Sequence, residues 1–194
     1  LLAGGPVGQR AELAVFVGSV DAKLDVPIVE RLLETLERSG RDAGLLVLGR
    51  IFEEAAESAE RLERRFPDRV HFAGRVPYED LPGYLACASV GTMPYVMNPR
   101  LRGANPSKLY MYAAMELNVV STPFSENVLA HDELVFTAQS PDEFAGAVLD
   151  AFDDAARRAR VRGEIAEPNS WDARAAEFVA LLTRISREGL RPPG

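Results

Sequence analysis

Cysteine and histidine are almost absent from this chain, with one and two residues respectively among 194. A lone Cys87 forms no internal disulfide and no two-cysteine metal spacing, and it suits a reducing compartment, so a cytoplasmic location is the expectation. Its place just after Leu81, Tyr84 and Leu85 predicts a buried helical position. His71 lies in an apolar stretch and reads as structural, whereas His131, ahead of Asp132 and Glu133, reads equally as an acid-base site or a solvated turn. The chain also lacks a serine or cysteine in a nucleophile setting, a His-Glu-x-x-His and a Gly-x-x-x-x-Gly-Lys loop. No metal site is therefore expected, and no catalytic residue is identified.

Long apolar runs are missing too. No stretch is long enough to span a bilayer, and Leu1-Leu2-Ala3-Gly4-Gly5-Pro6 has neither the basic start nor the apolar core of a signal peptide. The absence of an initiating methionine sets the expectation that residues precede Leu1. Basic residues are outnumbered 22 to 29, and the net charge of −7 excludes general nucleic-acid binding by phosphate neutralisation while leaving room for a local basic pocket. Repeats and low-complexity blocks are absent, so residues 1–194 are expected to form one domain.

What is present is a regular alternation. With 47% hydrophobic residues, strand-length apolar runs alternate with stretches of helical period, the pattern of an α/β fold with a parallel sheet of about six strands and helices on both faces. Strands are expected at 13–17, 45–48, 70–73, 89–93, 119–122 and 134–137. Helices are expected from about Asp25 to Ser39, from Glu53 to Phe66, through Leu81 to Cys87, after Pro106, from Ser140 through Phe152, near Arg157 to Ile165, and from Trp171 through Ile185. The last carries Trp171, Phe178, Leu181, Leu182 and Ile185 at helical spacing, an apolar face that either completes this domain's core or packs on another domain.

In a parallel α/β sheet the ligand crevice lies at the carboxyl ends of the strands. The loops there hold Ser19 and Lys23 after the first strand, Arg50 after the second and Arg75 after the third. Arg100, Arg102, Asn105, Ser107 and Lys108 follow the fourth. So many cations at one edge of an acidic protein point to an anion, most naturally a diphosphate. Asn105-Pro106-Ser107-Lys108 is the sharpest signal: Asn105 is expected to cap a helix with Pro106 in its first turn, so that free N–H groups and Lys108 face one ligand. Solvated turn residues and an ordinary capped helix are the alternative.

Three runs carry a family resemblance: 72–85, beginning Phe72-Ala73-Gly74-Arg75-Val76-Pro77; Met93-Pro94-Tyr95; and Asn105-Pro106-Ser107-Lys108-Leu109-Tyr110 with Val119-Val120-Ser121-Thr122-Pro123. Together they resemble retaining glycosyltransferases of GT-B fold. More narrowly, they are similar to the carboxyl-terminal, nucleotide-sugar-binding domain of group 1 (family 4-like) bacterial glycosyltransferases, a Rossmann-like domain. The terminal Asn169-Ser170-Trp171-Asp172-Ala173-Arg174 is similar to that family's closing helix. The resemblance implies transfer of a sugar from a nucleoside diphosphate sugar, used as co-substrate with no cofactor, to a polysaccharide, lipid or small-molecule acceptor. It further implies an acceptor domain amino-terminal to this chain, the part through which the protein would meet the inner face of the membrane. Lys23 and Lys108 would neutralise the leaving diphosphate without a metal, alongside Ser19, Asn105 and Ser107. Met111 stands where the family usually has a glutamate that binds the ribose, and Glu116 and Asn118 stand where glycine and proline are usual. A non-catalytic binding module derived from the same fold, or an unrelated nucleotide-binding domain such as half of a nucleotide-sugar epimerase, are the competing readings.

Overall fold

The computed structural model describes residues 7–188. Six strands form one parallel sheet: β1 (Glu12–Val17), β2 (Ala43–Leu48), β3 (Val70–Gly74), β4 (Val90–Met93), β5 (Asn118–Ser121) and β6 (Val135–Thr137), in the order β3-β2-β1-β4-β5-β6. The order reverses between β1 and β4. That is the switch point where a doubly wound sheet opens a crevice. The strands fall within a residue or two of their expected positions because sheet residues buried on both faces read as unbroken apolar runs, and β2 is buried along its whole length.

Between the strands run α1 (Val26–Arg38), α2 (Glu53–Arg65), α3 (Leu81–Leu85), α4 (Ser107–Ala114) and α5 (Glu126–Leu129). After β6 come α6 (Pro141–Asp153), α7 (Ala155–Val161) and α8 (Trp171–Glu188). Helices α1, α2 and α6 form one layer: Arg65 of α2 meets Glu34 of α1 at 2.7 Å, and Arg31 of α1 meets Asp142 of α6 at 3.0 Å. Helix α4 covers the opposite face. Its Tyr112 ring lies flat over Gly91 of β4, where a Cβ would fall 2.4 Å from the ring. Asp25 caps α1 through the Ile28 N–H, and α6 begins with a complete capping box between Ser140 and Glu143.

Two expectations are corrected and one open alternative is decided. Asn105 does not cap α4: Pro106 is the cap residue, Ser107 begins the helix, and the Asn105 side chain instead accepts a hydrogen bond from the Tyr110 hydroxyl at 2.8 Å. Cys87 is exposed, because α3 ends at Leu85 and the chain turns back toward β4 before another buried position comes round. Helix α8 does not complete the core. Trp171 is 90% exposed and Phe178 61%, while the core position beside α4 is filled by Ile165 of the preceding π-helical turn Arg162–Ala166. Among the described residues no helix is long and apolar enough to cross a membrane.

Candidate functional site

The site is created where β1 and β4 part. Only Ala14 with Val90 and Val15 with Gly91 are in register between them, after which the strands diverge. A fork of this kind leaves backbone groups without a strand partner, and a buried N–H needs one. Tyr112 supplies it from α4: its buried hydroxyl accepts from the Val17 N–H at 2.8 Å and donates to the Thr92 carbonyl at 3.4 Å. Burial also pushes the Tyr112 hydroxyl well above the ordinary phenol range, so it stays neutral.

Lys108 lies four residues before Tyr112, hence on the same side of α4 and one turn nearer the carboxyl edge of the sheet. Its Nζ enters the mouth of the fork, 4.6 Å from the centre of the Tyr95 ring and 5.2 Å from that of Phe16, and donates to the Tyr95 hydroxyl. Residue 18 must be glycine for this to happen. Its φ is +151°, and a Cβ there would stand 2.7 Å from Nζ. Burial, with the Lys23 charge as a second cause, lowers the Lys108 pKa to about 8. Among the described residues no carboxylate pairs with this ammonium, since nearby Asp21 is engaged by Lys23 at 3.1 Å.

The loops after β1 and β4 close over the fork. Val96 N–H donates to the Lys23 carbonyl at 2.9 Å and Asp25 N–H to the Pro94 carbonyl at 2.8 Å, which fixes the backbone at Lys23 beside the fork; Ser19, earlier in the same loop, is exposed. The chain contains only two lysines, Lys23 and Lys108, and both are here, while its other 20 basic residues are arginines.

The remaining expected residues face elsewhere. Asn105, Ser107 and Met111 line a cavity of about 700 Å³ between α3, α4 and the start of α8, with Tyr78, Leu81 and Trp171. Thus α4 presents two different faces, Lys108 toward the fork and Ser107 with Met111 toward the cavity. Among the described residues no aspartate or glutamate lines this cavity, and its wall is mainly apolar. The four arginines do not converge with the lysines. Arg50 stacks on Phe52 at 4.6 Å and Arg102 pairs with Glu126 at 2.8 Å, while Arg75 and Arg100 are exposed turn residues. His71 is spent structurally, with Nδ1 3.3 Å from Glu63, and His131 is half-buried with its pKa lowered by desolvation. Sequence reasoning missed Phe16, Gly18 and Tyr112, and took Tyr95 only as part of a motif. The four-residue spacing of Lys108 and Tyr112 on one helix was the available signal.

A family model described as group 1 glycosyl transferases matches residues 11–154. No curated protein sequence matches the chain. Among solved structures, it is similar to Anabaena HepE in complex with UDP, at 12% identity and TM-score 0.73, covering 91% of this chain and 50% of that one. It is also similar to a UDP-forming α,α-trehalose-phosphate synthase from Burkholderia vietnamiensis, at 16% identity and TM-score 0.71, covering 92% and 46%. A third is the E. coli trehalose-6-phosphate structure with bound UDP-2-fluoro glucose, at 15% identity and TM-score 0.72, covering 92% and 45%. The chain thus spans about half the length of the structures it matches, and the likeness at these identities is one of fold.

Proposed function

Because the chain belongs to the group 1 glycosyl transferases, we propose that it is the donor-binding domain of a sugar-transferring enzyme, with the fork and the cavity holding the two halves of one nucleoside diphosphate sugar. The observation that carries this reading is Lys108, an ammonium with no carboxylate in ion-pair contact among the described residues, brought to the switch point of the sheet beside Lys23. Such a charge suits a diphosphate. As the bond from sugar to diphosphate breaks, negative charge grows on the leaving oxygens, and two fixed cations lower the barrier by meeting it there. Exposed Ser19 adds a hydroxyl donor at the rim.

The cavity is assigned to the nucleoside, since Ser107 on its wall is the residue next to Lys108. Its aromatic rim, Tyr78 and Trp171, suits a planar base, and the absence of carboxylates means that Met111 offers the ribose van der Waals contact in place of a strong hydrogen bond. The UDP ligands of the similar structures make uridine diphosphate the first candidate. The acceptor, a growing polysaccharide or a lipid, is assigned to a second domain outside this chain. The setting is the cytoplasm, at the inner face of the membrane.

Met111 favours a second reading, a binding module of the same fold that no longer uses a donor. Trp171, the one tryptophan of the chain, lines the cavity and separates the two. Saturable change of its emission by a nucleoside diphosphate, and none by pyrophosphate alone, is the expected result. Emission that no nucleoside diphosphate alters would remove the donor assignment and leave the module.

A further inference from the structure

We propose that Tyr95 is the positioning residue for Lys108, its ring and hydroxyl holding the ammonium in the fork at the place left empty by the missing side chain of residue 18. The proposal rests on Lys108 as the diphosphate-facing cation. A lysine carries a flexible four-carbon stem and about 2 kcal/mol of rotamer entropy, so an unrestrained ammonium at a helix start is not a preformed site. Here it is restrained on two sides. The Phe16 ring centre lies 5.2 Å from Nζ and the Tyr95 hydroxyl accepts from it, while Gly18 keeps a third side clear.

Tyr95 is itself fixed. It is buried, stands edge-on to Phe16 at 5.9 Å and to Phe124 at 4.9 Å, and its carbonyl accepts from Thr122 Oγ1 at 2.7 Å. Burial raises its phenol well above the ordinary range, so the hydroxyl is a neutral partner that does not consume the lysine charge. A carboxylate in that place would hold Nζ as firmly but would cancel the charge a diphosphate needs. The charged and titratable groups around Nζ are Asp21 and Lys23 from the loop after β1, Tyr95 from the loop after β4, and Tyr112 on α4 itself.

Without the hydroxyl, a half-buried ammonium has only the Phe16 ring to lean on, and water becomes the better environment. Tyr95→Phe keeps both ring packings and removes that one acceptor. In the 194-residue chain, whose two lysines make side-chain NMR assignment simple, the Lys108 titration midpoint is expected to rise from about 8 toward the ordinary lysine value of 10.5, with an unchanged melting temperature. Uridine diphosphate affinity at pH 7 is expected to fall roughly tenfold, the worth of one charge-assisted hydrogen bond. In the wild-type chain the Lys108 ammonium is expected to exchange its hydrogens more slowly than that of exposed Lys23, a reading that needs no variant. An unmoved or lowered midpoint in Tyr95→Phe overturns the proposal, as does a Lys108 ammonium that exchanges as fast as that of Lys23. The midpoint is read without nucleotide, so a wild-type chain that ignores every nucleoside diphosphate while its Lys108 midpoint still responds to Tyr95→Phe would sink the donor reading and leave the positioning role standing.

Discussion

Glu116 is the one non-glycine residue in the left-handed region among those described, with φ of 57°. The reason is local. Helix α4 ends in a Schellman motif, with the Leu117 N–H on the Tyr112 carbonyl and the Glu116 N–H on the Ala113 carbonyl, both at 3.0 Å, which puts residue 116 where a Cβ is strained. An exposed pair with Arg162 at 3.4 Å offsets little of that cost. Glu116→Gly is therefore expected to stabilise the chain by about 0.5–1 kcal/mol, raising the melting temperature by roughly 1–4 °C in a thermal scan; a lower melting temperature would contradict it. At this scale the sequence was partly legible. Lys108 stood out because proline and asparagine before a lysine mark a helix start, but the Tyr95 hydroxyl that holds it comes from a loop 13 residues away, and no spacing rule joins the two.

At the scale of elements, strands and most helices follow from local pattern, and the capping box at Ser140 was readable as such. Helix α5, four residues long, was not, since one turn carries no period. The two faces of α4 were invisible for a different reason: helical spacing separates Lys108 from Ser107 and Met111, but only the packed sheet decides that one face meets a fork and the other a cavity. Helix α8 marks the limit of reading burial from periodicity. Phe178, Val179, Leu181 and Leu182 repeat at core spacing yet are 61%, 60%, 40% and 49% exposed. Apolar side chains left about half exposed contribute far less to stability than those of the core. Phe178→Asp is thus expected to leave the unfolding free energy of the 194-residue chain within about 0.5 kcal/mol of wild type in a denaturant titration, the range of ordinary surface substitutions. A loss above about 2 kcal/mol would place α8 in the core after all.

For the molecule as a whole, the order β3-β2-β1-β4-β5-β6 fixes where chemistry can occur, because it brings the ends of β1 and β4 side by side and makes them diverge. Both lysines of an otherwise arginine-based chain converge on that divergence, while its net charge of −7 keeps other anions at a distance. The alternation of strands and helices made the sheet legible; strand order was not, since crossover direction leaves no mark on composition. The measurement that tests the central claim most directly is calorimetric titration of uridine diphosphate, then of the other nucleoside diphosphates, into wild-type chain and Lys108→Ala at pH 7 and pH 9.5. Lys108 is charged below about 8 and loses its proton above it, so wild-type affinity is expected to fall at the higher pH. Lys108→Ala is expected to be weaker by roughly tenfold at pH 7 and to lose most of that pH dependence. Equal affinities for the two proteins at pH 7, or no binding by wild type to any nucleoside diphosphate, would contradict the assignment of this fork as the donor diphosphate site.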